Sequence, residues 1–185
     1  KCVEPKLGVN KGLLLSSKDI FTAYCDTDWA ACTFSRKSVS GFTIQLWDSL
    51  ISWKSKKQSI VSRSSAELEY RSLAFTVAKL TWIVGLITDL DVQVQLPVTI
   101  FSDSKAAIQM AANPMYHERT KHIEIGCHFI REKIQQGLIK TQYISTHDQP
   151  ADVLTKSLNK VQHVYLISKL GLANLFVVPI LRGEC

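Results

Sequence analysis

The chain has 185 residues, 46% of them apolar and 21% charged, which suits one α/β domain and excludes both a disordered polymer and two independent cores. Its formal charge of +6 and pI near 9.1 admit a polyanionic partner without requiring one. Five cysteines (Cys2, Cys25, Cys32, Cys127, Cys185) with no CxxC pair argue against a complete disulfide framework and a structural zinc, and fit a reducing compartment.

The first residue is Lys1, no signal-peptide apolar core follows, and no uninterrupted apolar stretch is long enough to cross a bilayer. The chain therefore reads as a fragment or processed piece with an intracellular location, cytoplasmic or nuclear, and no membrane role. Residues 20–26 are β-favouring and lead into Asp26, which predicts a first strand ending there. Ser40 to Leu46 and Leu50 to Lys54 alternate with period two across Trp47, Asp48 and Ser49, the pattern of a β-hairpin.

From Ser64 the period lengthens. Ala66, Tyr70, Leu73, Val77, Leu80, Val84 and Ile87 recur at three- and four-residue steps, the stripe of a long helix, with serines 62, 64 and 65 as cap candidates. Glu67 and Glu69 sit at its start, where acids also favour the helix dipole. After Pro97, Val98 to Phe101 reads as a buried strand, and Asp103 stands between it and a short helix through Ala112.

Ile123, Cys127, Ile130 and Ile134 stripe another helix ended by Gly137, and Leu138 to Ile144 reads as the last strand. Asp152 then opens a helix striped by Val153, Leu154 and Leu158, with Pro150 just ahead. Helix capping or first-turn placement explains each acid taken singly. Their common position, at strand ends and helix starts, is where open α/β sheets gather a site.

The strings YCDTDWA, SVSGF, LISWKSKKQ, VSRSSAELEY, FSDSKAAI, NPMYHERTKHIEI, CHFIREK and QPADVLTK, in that order, closely resemble the ribonuclease H domain of copia-type LTR retrotransposon Pol polyproteins. The resemblance covers residues 13–158. It leaves 1–12 as a remnant of a connection to the polymerase and 159–185 as a C-terminal helix and tail. It implies a ribonuclease H-like fold, α/β, with a five-stranded mixed sheet whose first three strands are antiparallel.

The resemblance further implies Mg²⁺-dependent endonucleolytic hydrolysis of the RNA strand of RNA·DNA hybrids during reverse transcription. Two Mg²⁺ ions, or Mn²⁺ in their place, would be held by Asp26, Glu67, Asp103 and Asp152, with Asp26 bridging. Such ions take oxygen ligands and keep waters; set about 4 Å apart they activate water on one side and stabilise the leaving oxygen on the other. Glu69 is the alternative to Glu67, and Asp28 lies on the same side of a continuing strand as Asp26, although the motif places the ligand at the first Asp.

Substrate contacts are expected at phosphates and 2′-hydroxyls, not base edges. The candidates are Lys54, Lys56, Lys57, Arg63, Arg119 and Lys121; Arg36 and Lys37 form a further basic cluster. The other expected partner is the reverse transcriptase region of the parent polyprotein. His147 reads as an exposed loop residue in preference to a catalytic one, His117 and His122 as structural or backbone-contacting, and Trp29 and Trp53 as packing residues.

The chain departs from the family at Gly126, mid-helix where relatives carry a polar residue, and at Trp47 and Asp48, where a glycine-rich turn is expected. It contains no polymerase YxDD motif. The rival reading is a catalytically inactive ribonuclease H-like module that binds nucleic acid, or the relic of a degenerate element.

Overall fold

The computed structural model describes residues 21–29, 31, 36–59, 64–113 and 124–172, without the side chains of 124, 125 and 127. The expected roles of Arg63, Arg119, Lys121, His117 and His122, and the proposed remnant at 1–12, lie outside the described residues.

Five strands form one sheet: β1 (Phe21–Asp28), β2 (Val39–Leu46), β3 (Ser49–Lys57), β4 (Val98–Ser102) and β5 (Ile139–Tyr143), in the order β3-β2-β1-β4-β5. The first three are antiparallel to one another, whereas β4 runs parallel to β1 and β5 parallel to β4. The expected hairpin closes through Trp47 and Asp48, and Trp47 adopts φ +57°. That is the conformation a glycine would take without steric cost, so the substituted turn keeps a glycine-type backbone.

Helix α1 (Ser65–Asp89) starts where the apolar period changes, and the Ser64 side chain accepts from the Glu67 N–H. Leu73, Val77 and Leu80 on its stripe are fully buried in one core with Ala23, Cys25, Ile44 and Ile100. α1 is long and apolar enough by composition to cross a bilayer, but here those side chains cover the sheet. Helices α2 (Lys105–Ala112) and α3 (Glu124–Gln135) complete this layer through Ala107, Ala111 and Ile130.

The opposite face is formed differently from the expectation. Asp152 opens not a long helix including Leu158 but the four-residue α4 (Asp152–Thr155), and the chain restarts at Asn159, whose side chain caps α5 (Lys160–Lys169) by accepting from Gln162 N–H. The physical reason is a local N-cap competing with a continuous stripe. Side chains alternate along β2, so Phe42, Ile44 and Leu46 face α1 while Gly41 and Gln45 face the other way. A Cβ at Gly41 would lie 2.9 Å from Leu154 Cβ and from Thr155 Cγ2. Ser55 Oγ donates to Leu154 O at 2.7 Å, and Gln45 Nε2 to Lys169 O at 2.9 Å.

Candidate active site

Asp26 is paired with Gly41 across β1 and β2, so its carboxylate emerges on the face that carries α4. Asp103 follows β4, the parallel neighbour of β1. Capping does not account for it, because the hydroxyl that receives the α2 N–H of Ala107 belongs to Ser104. Nor does Asp152 cap α4, which has no side-chain cap.

One carboxylate oxygen each from Asp26, Glu69 and Asp103 lies within 4.8 Å of the others. The glutamate that joins Asp26 and Asp103 is thus Glu69, the alternative to Glu67, and Glu67 is not in the group. Successive helical residues are turned by about 100°, so two positions along α1 place the side chains on opposed faces. Glu67, its side chain still 13% exposed, turns away from the group and pairs with Arg71 at 2.7 Å. Glu69 turns inward, takes a 2.6 Å hydrogen bond from Thr27 Oγ1 on Oε1, and keeps Oε2 buried with no hydrogen-bond partner among the described residues.

Asp152 joins this group through Lys156. The Lys156 ammonium lies 2.9 Å from Asp152 Oδ1, 3.1 Å from Asp26 Oδ1 and 3.8 Å from Asp103 Oδ2. Thr155 Oγ1 donates to Asp26 Oδ2, and Thr146 Oγ1 to Asp103 Oδ2 at 2.9 Å. Behind them, the buried Gln149 amide donates to Cys25 O at 3.0 Å, tying the segment before α4 to β1.

Burial and then the neighbouring Asp152 carboxylate push the Asp26 acid up to about 7. Burial and the Asp26 charge push Glu69 up to about 8. Asp152 is raised as well, again chiefly by burial. Burial draws Lys156 down, but the Asp26 and Asp152 carboxylates outweigh it and hold the ammonium well above its ordinary value.

Such a group suits a divalent metal: the donors are all hard oxygens, they repel one another, and one buried oxygen of Glu69 has nothing to bind. Asp28 is not among the grouped carboxylates.

Of the expected nucleic-acid contacts, Lys54, Lys56 and Lys57 lie exposed along β3. Lys54 and Lys56 stand 5.7 and 5.9 Å from the centroid of Phe75 on α1. With Gln58 and Arg71 they line a groove of about 310 Å³ between β3 and α1. Sequence reasoning named neither Arg71 nor Phe75, since both sit on the outward side of α1.

Thr155 and Lys156 were also missed as site residues, although they complete the QPADVLTK motif and Lys156 follows Asp152 by one helical turn. His147 is exposed as expected, its ring tilted against Tyr165 at 5.4 Å. Trp53 is half-buried, but Trp29, expected to pack, is 54% exposed at the end of β1.

No protein-family model matches the chain. Among curated proteins, it is 45% identical over 149 residues to the retrovirus-related Pol polyprotein from transposon RE2 of Arabidopsis thaliana, covering 80% of this chain and 10% of that protein. It is 42% identical over 164 residues to the corresponding polyprotein from Arabidopsis transposon RE1, covering 88% of this chain and 11% of the relative.

The chain is a ribonuclease H-like segment of the retrovirus-related Pol polyprotein family. It spans about a tenth of the length of those curated relatives. The polyprotein from transposon TNT 1-94 of Nicotiana tabacum is 37% identical over 140 residues, covering 76% of this chain and 10% of its own length.

The ribonuclease H fold of this Pol segment is matched by solved structures. LC11-RNase H1 in complex with an RNA/DNA hybrid superposes with TM-score 0.53 at 15% identity, over 73% of this chain and 93% of that one. The N-terminal RNase H domain of a Mycobacterium tuberculosis protein gives TM-score 0.53 at 11% identity, over 83% and 98%.

Proposed function

We propose that this domain is a retrotransposon endoribonuclease of ribonuclease H type, cutting the RNA strand of RNA·DNA hybrids during reverse transcription, with Asp26, Glu69, Asp103 and Asp152 holding two Mg²⁺ ions. The observation that carries the reading is the convergence of Asp26, Glu69 and Asp103, together with the unpartnered buried Oε2 of Glu69. The hybrid bound by LC11-RNase H1 supports the substrate class.

When bound, the ions would activate a water and stabilise the leaving oxygen. Asp26 lies between both halves of the centre: it is grouped with Glu69 and Asp103, and it shares Lys156 with Asp152. Thr27 fixes one oxygen of Glu69, Thr155 one of Asp26, and Thr146 one of Asp103. Each hydroxyl holds a carboxylate in one orientation, which limits the reorganisation needed at the reacting phosphate.

Lys54, Lys56 and Lys57 would meet the hybrid backbone as a sequence-independent track, and their contribution to affinity weakens with salt. The reverse transcriptase region of the parent polyprotein is the proposed covalent partner, residues 13–158 the catalytic unit, and the cell interior the place of action.

A labelled RNA·DNA hybrid incubated with the protein and Mg²⁺ tests the reading. Asp26→Asn and Glu69→Gln are expected to lose more than about 100-fold in rate, beyond the range for a residue that only supports a ligand. Glu67→Gln is expected to stay within a few-fold of the parent. Full activity in Asp26→Asn would refute the enzyme, and hybrid binding without cleavage by the parent protein would select the inactive binding module.

A further inference from the structure

The ammonium of Lys156 reaches carboxylates from three separate parts of the fold: Asp26 on β1, Asp103 after β4, and Asp152 at the start of α4, which Lys156 follows directly. Its two short contacts, 3.1 Å to Asp26 Oδ1 and 2.9 Å to Asp152 Oδ1, use the oxygens that an ion between those two residues would need. Two cations cannot share that space. In the Asp26–Glu69–Asp103 group the ammonium is more distant, at 3.8 Å from Asp103 Oδ2, and Glu69 Oε2 has no hydrogen-bond partner among the described residues. An ion there displaces no hydrogen bond at that oxygen and has only threonine hydroxyls to exchange at Asp26 Oδ2 and Asp103 Oδ2.

The Lys156 side chain is 27% exposed, and its flexible four-carbon stem gives the ammonium a route to water. Its backbone stays anchored, with the N–H donating to Asp152 O at 2.9 Å. We propose that Lys156 is a resident counter-cation which holds the Asp26–Asp152 half of the centre in the metal-free protein and swings out when a divalent ion binds there. Metal loading is then sequential: the Glu69 side fills first and tightly, the Asp152 side second and weakly. The proposal rests on the two-metal reading of the site and adds to it an order and a residue that sets the second affinity.

Mn²⁺ titration of the whole chain, read as free Mn²⁺ by electron paramagnetic resonance, separates the two ideas. The parent protein is expected to bind one ion tightly and one weakly. Lys156→Met is expected to tighten the second step by on the order of tenfold, because the ion no longer competes with a paired ammonium. The same variant melts at lower temperature without metal, whereas Lys156→Arg, which keeps the charge, retains the weak second step. Lys156→Gln serves as the neutral variant if the methionine variant does not fold.

A second readout uses Mg²⁺ and ¹³C-labelled lysine, in which the Lys156 side-chain signals are expected to move with the second equivalent and not the first. If the parent binds two ions and the neutral variant leaves the second affinity unchanged or weaker, the counter-cation role is overturned and the two-metal reading stands. If the parent binds no Mn²⁺, both are overturned.

Discussion

Glu67 and Glu69 show how closely a site can be read from residues. The core stripe of α1 runs through Leu73, Val77, Leu80 and Val84, and a step of four back from Leu73 reaches Glu69. An acid on an apolar stripe is buried, and a buried acid needs a partner. Glu67 lies off that stripe and pairs with Arg71 one turn later, so the periodicity separates two acids that the resemblance left as alternatives. The same helix carries an exposed glycine, Gly85, at which an added Cβ would meet nothing within 4 Å. Gly85→Ala is expected to stabilise the protein by about 0.5–1 kcal/mol, since alanine loses less backbone entropy on entering a helix. Urea unfolding measures this, and a midpoint no higher than the parent's would contradict it.

Among the elements, the five strands and α1 were legible: β2, β3 and α1 from periods of two and 3.6, and β1, β4 and β5 from β-favouring or apolar runs bounded by turns. The break after Thr155 was not legible, because Leu158 continues the apolar stripe of Val153 and Leu154, although a separate helix from 159 onward was expected and Asn159 caps it. That break matters for the site: α4 carries Asp152 and ends in Thr155, with Lys156 next to it. Its seat is Gly41, where a Cβ would come within 2.9 Å of Leu154 Cβ and Thr155 Cγ2. Gly41→Ala is therefore expected to lift α4 while β2 keeps its pairing, because the clash is with side chains on the face opposite the main core. Weakened Mn²⁺ binding and hybrid cleavage, with an unchanged far-ultraviolet circular dichroism spectrum, are the expected results. Unchanged metal affinity would mean that α4 yields without moving its site residues.

For the molecule as a whole, the buried carboxylates link metal, pH and stability. The folded protein raises Asp26 from 3.8 to about 7 and Glu69 from 4.5 to about 8. A carboxyl whose folded value lies above its unfolded value binds protons more tightly when folded. Protons thus favour the native state, and that advantage is lost as pH rises from the unfolded value through the folded one. In chelator, urea midpoints are expected to fall between about pH 4.5 and pH 8 as the two acids are forced to ionise side by side. Asp148 works in the opposite sense: hydrogen bonds from Lys169, Tyr165 and Ser145 hold it well below the usual carboxylate range, so its contribution is present at neutral pH and lost only on stronger acidification. Mg²⁺ is expected to restore much of the loss at pH 8, because a bound cation favours the ionised carboxylates of the native state. Asp26→Asn and Glu69→Gln should each flatten the profile in chelator by removing one of the shifted groups. A midpoint that rises with pH in chelator would show that these carboxylates are not mutually destabilising in the metal-free fold.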